Sequence, residues 1–174
     1  GDIQYRFQLD QIEKLMTGGK MAANRAELTQ STLESITSLS SSFMQVLTGA
    51  RNSGGGQALA RDTAMSSLSA LADLVNVTYD GQFLFGGTNT QETPLISFRG
   101  SAAETAVNGA FLAEFGFAQS DASVSGIDGS AMKTFLDGTF HSLFEPPAWQ
   151  ANWSSATDKG VKTRIGHSLM VDTS

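Results

Sequence analysis

The sequence has no cysteine. That excludes disulfides, zinc ribbons, thiol nucleophiles and cysteine-held iron–sulfur clusters together, and it suits a protein that crosses an export channel unfolded. Proline is almost as scarce, with three in 174 residues and none before Pro94, so the first half of the chain lacks its strongest helix breaker. Positive charge is in short supply as well. Eleven Lys and Arg face 17 Asp and Glu, for a net charge of −6 without any long basic run. Phosphate neutralisation needs clustered Lys and Arg, which argues against nucleic acid as a partner. No apolar run approaches the roughly 20 residues of a membrane span, so no membrane partner is expected.

What remains is enough for a folded core. Hydrophobic residues make up 40% of the chain, which argues against wholesale disorder. The length favours one domain, or one with a small appendage. A chain that opens on Gly1 in place of Met is expected to be part of a longer polypeptide.

From about residue 3 to 48 the apolar pattern is helical. The expected seam runs Ile12, Leu15, Gly19, Ala22, Ala26, Thr29, Leu33, Ile36, Ser40, Phe43 and Leu47, in steps of three and four. That is a heptad spacing with small residues at several positions. Gly18-Gly19 weakens the helix by about 1 kcal/mol per glycine relative to alanine. The spacing predicts one long helix of roughly 65–70 Å with a soft spot there; a break at the glycine pair is the alternative.

The run GARNSGGG (49–56) is expected to reverse the chain. A second helix is predicted over about 57–77, with Met65, Leu68, Leu71, Ala72 and Val75 on its apolar face. Two heptad-like helices joined by a short turn make an antiparallel hairpin. Each buries only one stripe, so further helices or neighbouring subunits are expected to cover the rest.

At Asp80-Gly81 the helical period ends. The stretch GQFLFGGT (81–88) matches the P-loop pattern G-x-x-x-x-G-K-[ST] in every slot except the lysine, which is Gly87. The mechanism fails with the lysine, because that side chain reaches the β/γ-phosphates. The Phe83-Leu84-Phe85 centre favours burial, and no helix start follows to bind an anion. A strand over about 82–88 is expected instead, with Phe83 and Phe85 packing to one side.

Beyond Pro94 the pattern predicts short helices at about 102–116 and 129–137. The first opens on the capping box Ser101-Ala-Ala-Glu104 and ends near Gly116. The second has Asp128 as cap and Gly138 as break, and residues 140–144 add a further turn. Pro146-Pro147 is expected to end the helical part, leaving Trp149 and Trp153 as core anchors on a loop. Strands over about 161–165 and 168–173 would form a hairpin with Gly166-His167 at its turn and the strand from Gln82 as its sheet partner.

Several constellations imitate chemistry. Ser130-Ala-Met-Lys133 fits S-x-x-K, the acylation motif of penicillin-recognising enzymes, but the companion S-D-N and K-T-G elements are missing. Residues 121–132 faintly resemble a calcium loop with Asp121 first and Gly126 sixth; Met132 stands where the bidentate Glu belongs, which rules it out. His141 and His167 are the only histidines and need no shared metal. Asn76-Val-Thr78 and Asn152-Trp-Ser154 fit N-x-[ST], a triplet common by chance.

With these segments in place the chain resembles the flagellin superfamily. The stretch from LTQSTLESI (28–36) through the hairpin to NVTYDGQFLFGGT (76–88) carries the match, ending in that superfamily's N-x-x-x-[DN]-G-x-[YF]-L-F-G-G-T signature. FLDG (135–138), WSSATD (153–158), TRI (163–165) and VDTS (171–174) are similar to the hook–filament junction branch. The resemblance implies a mainly α fold with a small β part: a helical hairpin over 1–80 carrying an α+β outer domain over 81–174. It implies a structural flagellar subunit, exported to the cell exterior, with no catalytic, cofactor or metal residues. Its expected partners are copies of itself in a ring, the hook-side junction protein, flagellin and an export chaperone. Filament flagellin is the nearest alternative; a surface-binding module over about 94–158 and a serine acyl enzyme using Ser130 and Lys133 are weaker ones. The superfamily's terminal helices, which complete the bundle, lie outside this sequence.

Overall fold

A computed structural model describes residues 2–51, 53–164 and 170–172. The chain is mainly helical, with two short strand pairs among the described residues. Its contacts separate it into two units: Gly1–Pro94 with Ala156–Ser174, and Leu95–Ser155. This division differs from the boundary at residue 81 suggested by the change in pattern, because the chain returns to the helical hairpin after residue 155.

The first unit is built on α1 (Asp2–Ala50), which runs unbroken through Gly18-Gly19 for roughly 73 Å at 1.5 Å per residue. Helical neighbours on both sides hold the two glycines in register, and the alternative of a break there is not realised. After a turn, α2 (Gly56–Val75) packs back along α1. A side chain at Gly56 would collide with the Ala50 carbonyl, so glycine permits the tight reversal. All five apolar residues expected to face inward on α2 are buried or half-buried.

The covered stripe of α1 is a strict heptad. Gln11, Leu15, Gly18, Ala22, Arg25, Thr29, Thr32, Ile36, Leu39, Phe43, Val46 and Ala50 alternate in steps of four and three, and all are buried or half-buried. Leu15, Ala22, Thr29, Ile36 and Phe43 belong to the expected seam. Ile12, Ala26, Leu33 and Ser40 do not lie on the covered side and are exposed. Gly19 and Leu47 of the expected seam are half-buried at the margin, so the helix is rotated by roughly 50°, about half a residue, from the orientation that apolarity alone suggests.

Behind α2, β1 (Thr78–Tyr79) and β2 (Gln82–Phe83) form a two-residue hairpin around Asp80-Gly81. Both turn residues have positive φ, 51° and 73°, as a type I′ turn requires. The strand expected over 82–88 is thus only two residues long. Leu84 is the buried large side chain of the segment, 1% exposed, and Gly86 and Gly87 are buried too, while Phe83 and Phe85 are half-buried. Strands β3 (Lys162–Arg164) and β4 (Met170–Asp172) pair antiparallel as a separate ladder. Pairing of this hairpin with the strand from Gln82 does not occur among the described residues: the Phe83 N–H bonds the Thr90 carbonyl instead. The Gly166-His167 turn lies outside the described residues.

The second unit packs around rings. Helix α3 (Ala102–Phe115) is capped by Ser101, whose Oγ accepts from the Glu104 N–H at 3.3 Å. Glu104 Oε2 in turn accepts from Gly100 N–H at 2.6 Å, so the capping box forms with its return bond shifted by one residue. Ala103, Val107 and Phe111 face the core. Helix α4 (Gly129–Phe135) runs directly into a π-helical turn over Leu136–Phe140. The helix therefore continues through Gly138 instead of ending there. Because an i→i+5 turn holds about five residues, it returns Phe140 to the side of Phe135. Rings then follow one another without a gap: Phe135–Phe140 at 5.9 Å, Phe140–Phe144 at 5.1 Å and Phe144–Trp153 at 4.7 Å. Trp153 also stacks on Phe98 and Trp149. The helical part does not stop at the prolines, since α5 (Ala148–Asn152) follows and carries Trp149. At the base of this unit Leu95 bridges Ser154, and the Ile96 N–H bonds the Trp153 carbonyl.

Candidate assembly surface

The GQFLFGGT segment has a definite partner. Thr88 N–H donates to Thr157 Oγ1 at 2.8 Å, the two hydroxyls lie 2.9 Å apart, and Thr157 N–H donates to the Gly86 carbonyl at 3.2 Å. Gly87 has φ +61°, and a β-carbon there would strike the Thr157 carbonyl and hydroxyl. The glycines serve a clasp between the outgoing and returning chain. Of the groups a P-loop would turn toward phosphate, the Thr88 N–H and hydroxyl are engaged by Thr157, a residue legible beforehand only as part of WSSATD (153–158).

Arg25 was likewise illegible as a key residue. It lies on the covered stripe of α1, 6% exposed, and its Nη2 donates to the Phe83 carbonyl at 3.3 Å. Burial lowers its pKa from the ordinary arginine value; arginine keeps its charge in proteins. The seam expected from apolarity passes through Ala26 instead, so nothing in the pattern marked Arg25.

The imitated active sites come apart. Ser130 Oγ donates to Asp128 Oδ2, and Lys133 Nζ pairs with Asp137. Serine and lysine thus each serve a local carboxylate on exposed helix surface, and Asp128 caps α4 through the Ser130 N–H at 3.0 Å. Asp121 caps the 3-10 turn Ala122–Gly126 by accepting from Ser123 N–H at 2.8 Å. Hydrogen bonds lower both carboxyls' pKa: the Ser130 hydroxyl and then its N–H for Asp128, the Ser123 N–H and then its side chain for Asp121. His141 lies 3.6 Å from Glu145 on an exposed turn; His167 is outside the described residues. Among the described residues no cluster of three or more metal-ligating side chains occurs, and no helix is long and apolar enough to cross a membrane.

The feature that demands a partner is on α1. Beside the covered stripe lies a second heptad row: Tyr5, Leu9, Ile12, Met16, then Gly19, Ala23, Ala26, and on to Leu33 and Met44. Ile12 is 54% exposed, Leu33 46% and Met44 61%. Ile3 and Phe7, on another side of the first turns, are exposed as well. The row is interrupted by Gln30, Thr37 and Ser40, but exposed apolar side chains recurring along one helix face mark an interaction site, and their heptad spacing suits a helix as the complementary shape.

Residues 2–90 match the family model for the bacterial flagellin N-terminal helical region. No curated protein and no solved structure matches the chain. The match takes in α1, the reversal, α2, the β1–β2 hairpin and the glycines of the clasp, more than half of the sequence, and the chain belongs to the bacterial flagellin family.

Proposed function

We propose that this chain is a structural subunit of the hook–filament junction of the bacterial flagellum (hook-associated protein 3), assembling as a ring between the hook-side junction protein and the first flagellin subunits. Flagellin-family proteins are structural and self-assemble into flagellar polymers. The single observation carrying an assembly role is the second heptad row of α1, which a lone chain leaves in water. Burial of a Leu or Met side chain contributes about 1.5–3 kcal/mol, so covering this row is a strong drive to associate.

The junction, as against the filament, is favoured by residues 135–138, 153–158, 163–165 and 171–174, which resemble the junction branch. The role is passive. Helices pack against helices, and nothing in the proposal requires Ser130, Lys133 or any other side chain to perform chemistry. Export through the flagellar type III apparatus with a chaperone, and an extracellular location, belong to the same proposal.

A strain lacking the full-length protein tests it. Hooks should form while flagellin is shed as monomers into the medium; filaments of normal length in that strain contradict the junction role. Loss of filament without shed flagellin points to filament flagellin.

A further inference from the structure

Helix α3 carries two poor helix formers side by side at its centre, Asn108 and Gly109. Both are exposed, and a β-carbon at Gly109 would meet nothing within 4 Å, so no packing within the chain asks for glycine there. Together with Leu112, 51% exposed, they form one wall of a cleft of about 570 Å³, inside the range of small-molecule sites. Gly116, at φ 76°, ends the helix and turns the chain back, so that Gln119 and Ser120 form the opposite wall. That wall is held at both ends. The Phe117 ring lies 6.2 Å from Phe111 in the core, and the Asp121 N–H bonds the Ala118 carbonyl at 3.0 Å.

We propose that this cleft binds a neutral sugar. Among the described residues no charged side chain lines it, which removes the ion-pairing partner that a charged ligand would need. Residues 95–155 carry six Asp and Glu against Arg99 and Lys133, a field that repels uronic, sialic and sulfated sugars. The polar groups of the cleft suit hydroxyls. The Asn108 and Gln119 carboxamides each donate and accept, and neither makes a hydrogen bond to another described residue. Leu112 offers an apolar surface to the C–H face of a sugar ring, and the bare backbone at Gly109 leaves depth for it. A glycine inside a helix is destabilising relative to alanine; room for a ligand accounts for it where packing does not. The proposal concerns the second unit alone and is independent of the junction role.

The probes are methyl glycosides of glucose, galactose, mannose and N-acetylglucosamine, with glucuronic and N-acetylneuraminic acids as the charged comparison. Each is titrated into the full-length protein and followed by saturation-transfer NMR. At least one neutral glycoside should bind, and neither acid should. Asn108→Ala and Gln119→Ala should each raise its Kd roughly tenfold, the equivalent of one uncharged hydrogen bond. Gly109→Met should abolish binding by filling the cleft while the urea midpoint stays level or rises, since a β-carbon there meets no neighbour and methionine favours helix. That combination separates a ligand site from a structural one. If none of the neutral glycosides binds, the site is refuted. Binding of the acids overturns the neutral class of ligand. Binding that survives Gly109→Met places the sugar elsewhere and overturns the cleft. The junction assignment stands or falls separately from all of these results.

Discussion

Thr157 closes a loop of the chain onto Thr88: its hydroxyl accepts the Thr88 N–H at 2.8 Å, 69 positions away in sequence. Gly87 makes this approach possible, having a positive φ and no β-carbon to strike the Thr157 backbone. Gly87→Ala is therefore expected to destabilise the first unit by about 2–4 kcal/mol, combining a left-handed backbone penalty with a steric clash. Thr157→Val keeps the shape and removes the acceptor, for about 1 kcal/mol. Urea unfolding followed by far-ultraviolet circular dichroism measures both. Equal, negligible effects would refute the clasp.

Gly19 gives the opposite sign. A β-carbon there meets nothing within 4 Å, and the helix continues on both sides. Gly19→Ala should raise the thermal or urea stability of the monomer by about 0.5–1 kcal/mol through helix propensity. Destabilisation of the monomer would show that the glycine is required within the chain.

These two glycines illustrate what the residues disclosed beforehand. The ranges of α1, α2 and α3, the Ser101 cap and the inward face of α2 were legible because period, capping chemistry and apolarity agree there. The rotation of α1 was not. Arg25 and Thr32 are covered while Ile12 and Leu33 are exposed, since both neighbouring heptad rows are apolar and the pattern cannot say which row faces a partner within the chain. The Asp80-Gly81 hairpin carried a readable type I′ signal, but two-residue strands leave no alternation to detect. The π-turn followed from no local preference; it is imposed by the need to bring Phe140 back beside Phe135. Ser130 and Lys133 matched a motif by spacing alone, which its missing companion elements already discounted, and their carboxylate partners Asp128 and Asp137 give each a local role.

Phe135 is 3% exposed and touches Phe111, Phe115 and Phe140. Phe135→Ala should cost the second unit about 3–5 kcal/mol. Both tryptophans lie in this unit, so their fluorescence reports it alone. The fluorescence transition should move to lower urea, while helical circular dichroism, dominated by α1 and α2, moves much less. Coincident shifts of both signals would contradict separate cores.

The caps make a pH prediction. Asp128 and Asp121 have folded pKa values lowered by their serine donors. Their contribution is fully present above the unfolded aspartate value near about 3.9 and is lost as pH falls through the lowered folded values. Carboxyl resonances followed by NMR should titrate below the ordinary aspartate range. Ser130→Ala should move the Asp128 midpoint back up and leave Asp121 unchanged; a stationary Asp128 midpoint would disprove its dependence on Ser130.

The central claim is that this chain is a structural part of the flagellum placed at one junction. Immunogold electron microscopy of isolated flagella, using an antibody against residues 95–155, tests it most directly. The account predicts a single cluster of label at the boundary of hook and filament on each flagellum. Label distributed along the filament would contradict the junction assignment, and flagella without label would contradict the structural role itself.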